Sequence, residues 1–153
     1  MPPRTPLSPR RSGYDWLLSC TDRPTAVQRA WRNEELAPFS TGPYWTVAQA
    51  PLGASVKAMR RIGAEGVGPV LADVEMDLAW WLLPADPGDD LDHVGQLTVH
   101  PPGWVLMCPP ARYPLRPPSD RLWLEYPDGS GRLTDPVLLG AAFGLGAPSE
   151  ASG

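Results

Sequence analysis

Apolar residues recur at helical spacing at Leu52, Val56, Met59 and Ile62, which predicts a helix over 52–62 with one buried face. Gly63 and Gly66 suit its C-terminal cap and the loop beyond. An earlier set, Val27, Ala30 and Trp31, predicts a first helix. Its start is placed at Thr25, where Thr25 and Gln28 fit a capping box, and Pro38 is read as its stop. Runs rich in aromatic and β-branched residues predict strands over 44–49, 69–72, 78–83, 103–108 and 122–126. The run 78–83, LAWWLL, is apolar on both faces and is expected at the centre of a sheet covered on both sides. Thr134-Asp135-Pro136 reads as a capping residue followed by Pro in the first turn, opening a last helix over 137–143 that stops at Gly144.

Helix, strand, helix, then mostly strands, then helix is an α+β pattern, a mixed or mostly antiparallel sheet with helices packed on it. Residues 1–13 carry Pro and Arg without periodicity and are expected to be a disordered arm. Residues 14–146 form the single domain, and 147–153 a small, polar, disordered tail. RYPLRPPSD, residues 112–120, reads as an irregular excursion, and PADPGDDLDHVG, 84–95, as a loop with at most one helical turn.

A chain of 153 residues, 42% apolar and with seven Trp, is long enough to bury a core. No stretch approaches the roughly 20 apolar residues of a membrane span, so no membrane partner is expected. The N-terminus has no apolar run of the secretory type. Two cysteines, Cys20 and Cys108, form no spacing pattern, and a cytoplasmic protein with free thiols is expected. The net charge of −4 argues against a surface that neutralises many phosphates. Charge can still be segregated, as at Lys57, Arg60 and Arg61, which fall largely off the apolar stripe of their helix.

Few residues group into chemistry. Asp73, Glu75 and Asp77 alternate and on an extended strand would share one face, open to a hard metal. A solvated hairpin turn between two apolar strands is the preferred reading. Asp86, Asp89, Asp90 and Asp92 lack the register of a calcium loop and read as a solvated acidic loop. His93, His100 and Cys108 match no zinc signature. Trp80 and Trp81 are adjacent on a strand and so point to opposite faces. One is expected in the core. The other lies under a helix or is open to a partner, where it could stack on a nucleobase.

Several anchors together resemble a known family. They are the helix with Trp31, a strand ending at Pro51, Gly68-Pro69-Val70, an apolar strand ending at Pro84, Pro109-Pro110 with Trp123 after it, and the final helix. Over residues 26–146 the chain resembles short actinobacterial proteins related to the N-terminal domain of bifunctional DNA primase/polymerases, the prim-pol domain. The resemblance implies a compact RRM-like fold. Active prim-pol domains hold divalent metals on acidic strand residues and grip the nucleotide with a histidine. The matching positions here are Thr46, Gln49 and Ala79, none of which carries charge. The resemblance therefore implies a module without the family's catalysis, no cofactor and no bound metal. The expected function is a non-catalytic adaptor or regulator whose partner is another protein. A degenerate nucleic-acid or nucleotide-binding module using Lys57, Arg60, Arg61, Trp80 and Trp81 is the alternative. A metal-dependent enzyme built on Asp73, Glu75 and Asp77 is the third reading. No oligomeric state follows from the residues.

Overall fold

A computed structural model describes residues 9–111 and 121–146. Residues 1–8 of the expected arm, the excursion at 112–120 and the expected tail lie outside the described residues. In chain order the elements are α1 (Pro9–Leu18), α2 (Pro24–Arg32), β1 (Ala37–Ser40), β2 (Thr46–Pro51), α3 (Leu52–Ile62), β3 (Val70–Asp73) and β4 (Leu78–Leu83). Then follow β5 (Thr98–Val99), β6 (Val105–Cys108), β7 (Arg121–Glu125) and α4 (Pro136–Gly146). The class is α+β. Five strands form one sheet in the order β5-β2-β4-β3-β7, and every pairing is antiparallel. A second sheet pairs β1 with β6, also antiparallel.

β4 lies at the centre of the large sheet. Its alternation sends Trp80 and Leu82 to one face and Ala79, Trp81 and Leu83 to the other. On the first face these residues meet Val47, Leu71 and Trp123, covered by α1, α2 and the small sheet through Leu17, Val27, Trp31, Phe39 and Leu106. On the second face α3 and α4 cover the sheet through Ala58, Leu139 and Phe143. The molecule is thus three layers with two apolar interfaces, the arrangement that a strand apolar on both sides requires.

The indoles also need hydrogen-bond partners. Trp81 Nε1 donates to Ser55 Oγ at 3.0 Å, and its ring meets Phe143 edge-on at 6.0 Å. Trp31 Nε1 donates to the Cys108 carbonyl at 2.9 Å, tying α2 to β6. A ladder of rings, Tyr14, Trp31, Phe39 and Trp45, runs through the first interface with centroids 5.2, 6.0 and 6.2 Å apart.

Four sequence expectations are corrected. The helix α1 begins at Pro9, so order starts inside the stretch read as an arm. The capping box at Thr25 and Gln28 is not formed: Pro24 takes the first turn of α2, Arg23 precedes it, and no side chain caps the end. Pro38 lies in β1, which belongs to a two-stranded sheet and has a strand partner on one side only, so a missing N–H is tolerated. On α3, Ser55 and Ala58 are the fully buried residues, while Leu52, Met59 and Ile62 flank them at the edges. Small residues at the centre let the helix approach the Trp81 ring.

No helix among the described residues is long and apolar enough to cross a membrane. The Ser55–Trp81 bond yields the first prediction. Ser55→Ala orphans a buried indole N–H and should cost about 1–3 kcal/mol. A urea titration checks this as a lower midpoint with unchanged slope.

Candidate functional site

The polar groups of the first sheet face form one connected line across four strands. It starts at β2, where Gln49 Oε1 accepts from Trp80 Nε1 at 3.0 Å and meets His100 Nε2 at 2.9 Å. An indole only donates, so the amide oxygen must face it. His100 must then carry its proton on Nε2. Its ring stacks on Trp104 at 3.8 Å with 2° between planes. Burial lowers the pKa of His100 and so favours the neutral ring, whose single proton this contact places on Nε2.

The line continues beyond Trp80. The Arg121 guanidinium sits 4.5 Å over the Trp80 ring. Its Nε donates to Asp73 Oδ2 at 3.0 Å and its Nη1 to the Met107 carbonyl at 2.7 Å. Asp73 Oδ1 accepts from the Met76 amide at 2.9 Å. Sheet register explains the line: Gln49 faces Trp80, and Asp73 faces Arg121. Burial of Asp73 works to raise its pKa. The amides of Met76 and Glu75 and the Arg121 charge outweigh that and hold the carboxyl below its ordinary value. These groups satisfy one another and brace the sheet.

The candidate metal ligands separate. Asp73 is engaged with Arg121, while Glu75 and Asp77 are exposed in the turn at 74–77. Among the described residues no group of three or more His, Cys, Asp or Glu is placed to hold a metal ion. Thr46 and Ala79 are buried. Cys108 is buried and its thiol pKa is driven far up by that burial. His93 is exposed and lines a hollow with Pro136, Val137 and Gly140 of α4.

Trp80 and Trp81 are 2% and 0% exposed, so neither ring is open to a nucleobase. The alternative of one indole left free for stacking is corrected: β4 is sandwiched, and each indole lies under its own layer. Lys57, Arg60 and Arg61 are exposed on α3. Arg61 Nη1 donates to the Ala142 carbonyl at 3.1 Å. Lys57 and Arg61, without Arg60, line a pocket of about 270 Å³ with Gly53, Ala54, Gln96 and Phe143.

The β3–β4 turn has a character that sequence reasoning missed. Val74 and Met76 are 56% and 55% exposed, and Glu75 and Asp77 flank them. The turn is pinned at both ends. Asp73 holds the Met76 amide, and the Asp77 carbonyl accepts from Leu52 N at the start of α3. Asp77 takes a positive φ of 59°, which Asp tolerates better than most residues. The sequence signal was present: Val and Met alternating with acids where a turn would ordinarily be polar throughout.

Comparison of the chain with protein-family models, curated proteins and solved structures finds no match.

Asp73 supplies the second prediction. Its folded pKa is depressed, so its stabilisation is present above the ordinary carboxylate pKa and is lost as pH falls through the folded value. Asp73→Asn keeps an acceptor for Met76 and removes the charge facing Arg121. It should cost about 1–3 kcal/mol at neutral pH. The two proteins should converge in stability as the medium is acidified below the carboxylate range, as followed by denaturation at a series of pH values.

Proposed function

We propose that this chain is a non-catalytic, prim-pol-like interaction module that binds another protein through the β3–β4 turn. The observation that carries this reading is the pinned turn with Val74 and Met76 exposed between acids. Single exposed apolar residues are ordinary. Here two lie two positions apart on backbone already fixed, so little ordering entropy opposes docking. The fitting partner has an apolar hollow rimmed by Lys or Arg, which would receive Val74 and Met76 and face Glu75 and Asp77.

The non-catalytic part of the reading rests on residue chemistry. Gln49, at a position where the family places a carboxylate, is neutral and already bonded to Trp80 and His100. A hard cation has little to gain from it. The setting proposed is cytoplasmic, with Cys20 and Cys108 as free thiols. Burial of both β4 indoles removes base stacking from the nucleic-acid alternative, which then rests on the α3 cations alone.

The test compares the tagged protein with a Val74→Ser/Met76→Ser variant as bait, each with and without nuclease. Surface changes of this kind should shift stability by no more than about 0.5 kcal/mol, so loss of binding is not loss of fold. The expected result is a protein captured by the natural chain, resistant to nuclease and reduced at least about tenfold in the variant, the loss of one to two hot-spot contacts. Equal capture by the variant, or capture that vanishes with nuclease, would overturn the reading.

A further inference from the structure

The pocket beside α3 has a composition unlike the rest of this acidic chain. Its charged wall residues are Lys57 and Arg61, and no carboxylate lines it. Among the described residues Arg121 and Arg132 pair with Asp73 and Asp128, while Arg23, Arg29, Arg32 and Arg60 make no ion pair, so what sets the pocket apart is two cations meeting in a hollow without a carboxylate. Among the described residues neither Lys57 nor Arg61 pairs with an acid. Two cations left without acids in a chain of net charge −4 are a local excess of positive potential in a concave site.

Their placement is set by the helix. Gly53, Lys57 and Arg61 follow at four-residue intervals, so they lie along one line of α3, about 6 Å apart per step. The Arg61 guanidinium is not free to swing away, because Nη1 is held by the Ala142 carbonyl of α4. Its remaining donors stay at the pocket. Phe143, buried, forms the apolar floor, and Gln96 brings an amide from the loop before β5. At the Gly53 end a Cβ would meet nothing within 4 Å, so the mouth is open there.

We propose that this pocket binds the phosphate group of a small phosphorylated molecule. A lysine point charge and an arginine fork in line on α3 face an amide from the loop before β5, which suits a group with three terminal oxygens better than a carboxylate with two. The size sets a limit on the rest of the ligand. At about 270 Å³ the pocket lies just below the range for small-molecule sites, about 300–1,000 Å³. It takes one phosphate and a short organic body. Arg60 points outside the pocket and has no part in the site. Its lining shares no residue with the β3–β4 turn, which meets the start of α3 through the Leu52–Asp77 hydrogen bond.

Titration with inorganic phosphate, followed by amide NMR against sodium chloride of matched ionic strength, tests the proposal. Phosphate should give saturable shifts centred on Gly53, Ala54, Lys57, Arg61 and Gln96, and chloride should not. Lys57→Gln should weaken binding about tenfold, the loss of one charge-assisted contact. Gly53→Glu places a carboxylate over the same cations, in a first helical turn that favours acids, and should abolish binding without loss of fold. Arg60→Gln should leave it unchanged. The proposal is overturned if shifts from the two salts are alike and do not saturate. It is equally overturned if Arg60→Gln weakens binding as much as Lys57→Gln, because a diffuse cationic face would then be responsible.

Discussion

Two adjacent tryptophans on the central strand constrain everything else in this fold. Neighbouring residues on a strand point to opposite faces, so burying both Trp80 and Trp81 demands a layer on each side of the sheet. Each indole removes about 200 Å² from water, of order 5 kcal/mol of transfer free energy. That is comparable to the whole net stability of a domain, about 5–15 kcal/mol. Neither ring can be left bare. The helices α3 and α4 answer Trp81, with Ser55 and Ala58 small enough to let α3 close on it. On the other side α1, α2 and the β1–β6 pair answer Trp80.

The polar line on the first face follows from the same constraint. Trp80 needs an acceptor for its N–H and receives one from Gln49, which in turn fixes the proton of His100. Arg121 covers the ring and is neutralised by Asp73, which also shapes the turn that follows. The polar groups on this face are bonded to one another. What the fold presents outward is the rim: a rigid apolar and acidic turn at one edge, and a cationic pocket along α3.

Legibility in the sequence tracked the strength of local signals. LAWWLL declared a strand covered on both sides, and the bounds of α3 and the Asp135-Pro136 start of α4 were readable from periodicity and capping. Asp135 does cap α4, accepting from the Val137 amide at 2.8 Å. The misses have physical causes. Pro38 looked like a breaker because proline is excluded from central strands, but β1 is a short strand in a two-stranded sheet. β5 is two residues long and exists only because β2 offers it a partner. His100 and Gln49 are 51 residues apart, and only the sheet brings them together. That Trp80 and Trp81 face opposite ways on a strand covered on both sides was visible; which elements cover Trp80 was not, because α1 and β1 left weak traces in the chain.

The central claim is that both indoles of β4 are sealed by structure rather than offered to a ligand. It is tested most directly by the indole N–H signals in a ¹⁵N–¹H NMR spectrum, with Trp80 and Trp81 assigned through Trp→Phe variants. Both signals should exchange slowly with solvent and should stay in place when a single-stranded oligonucleotide is added. Fast exchange of either, or a shift of either on adding the oligonucleotide, would contradict the account and return the sheet face to nucleic-acid recognition.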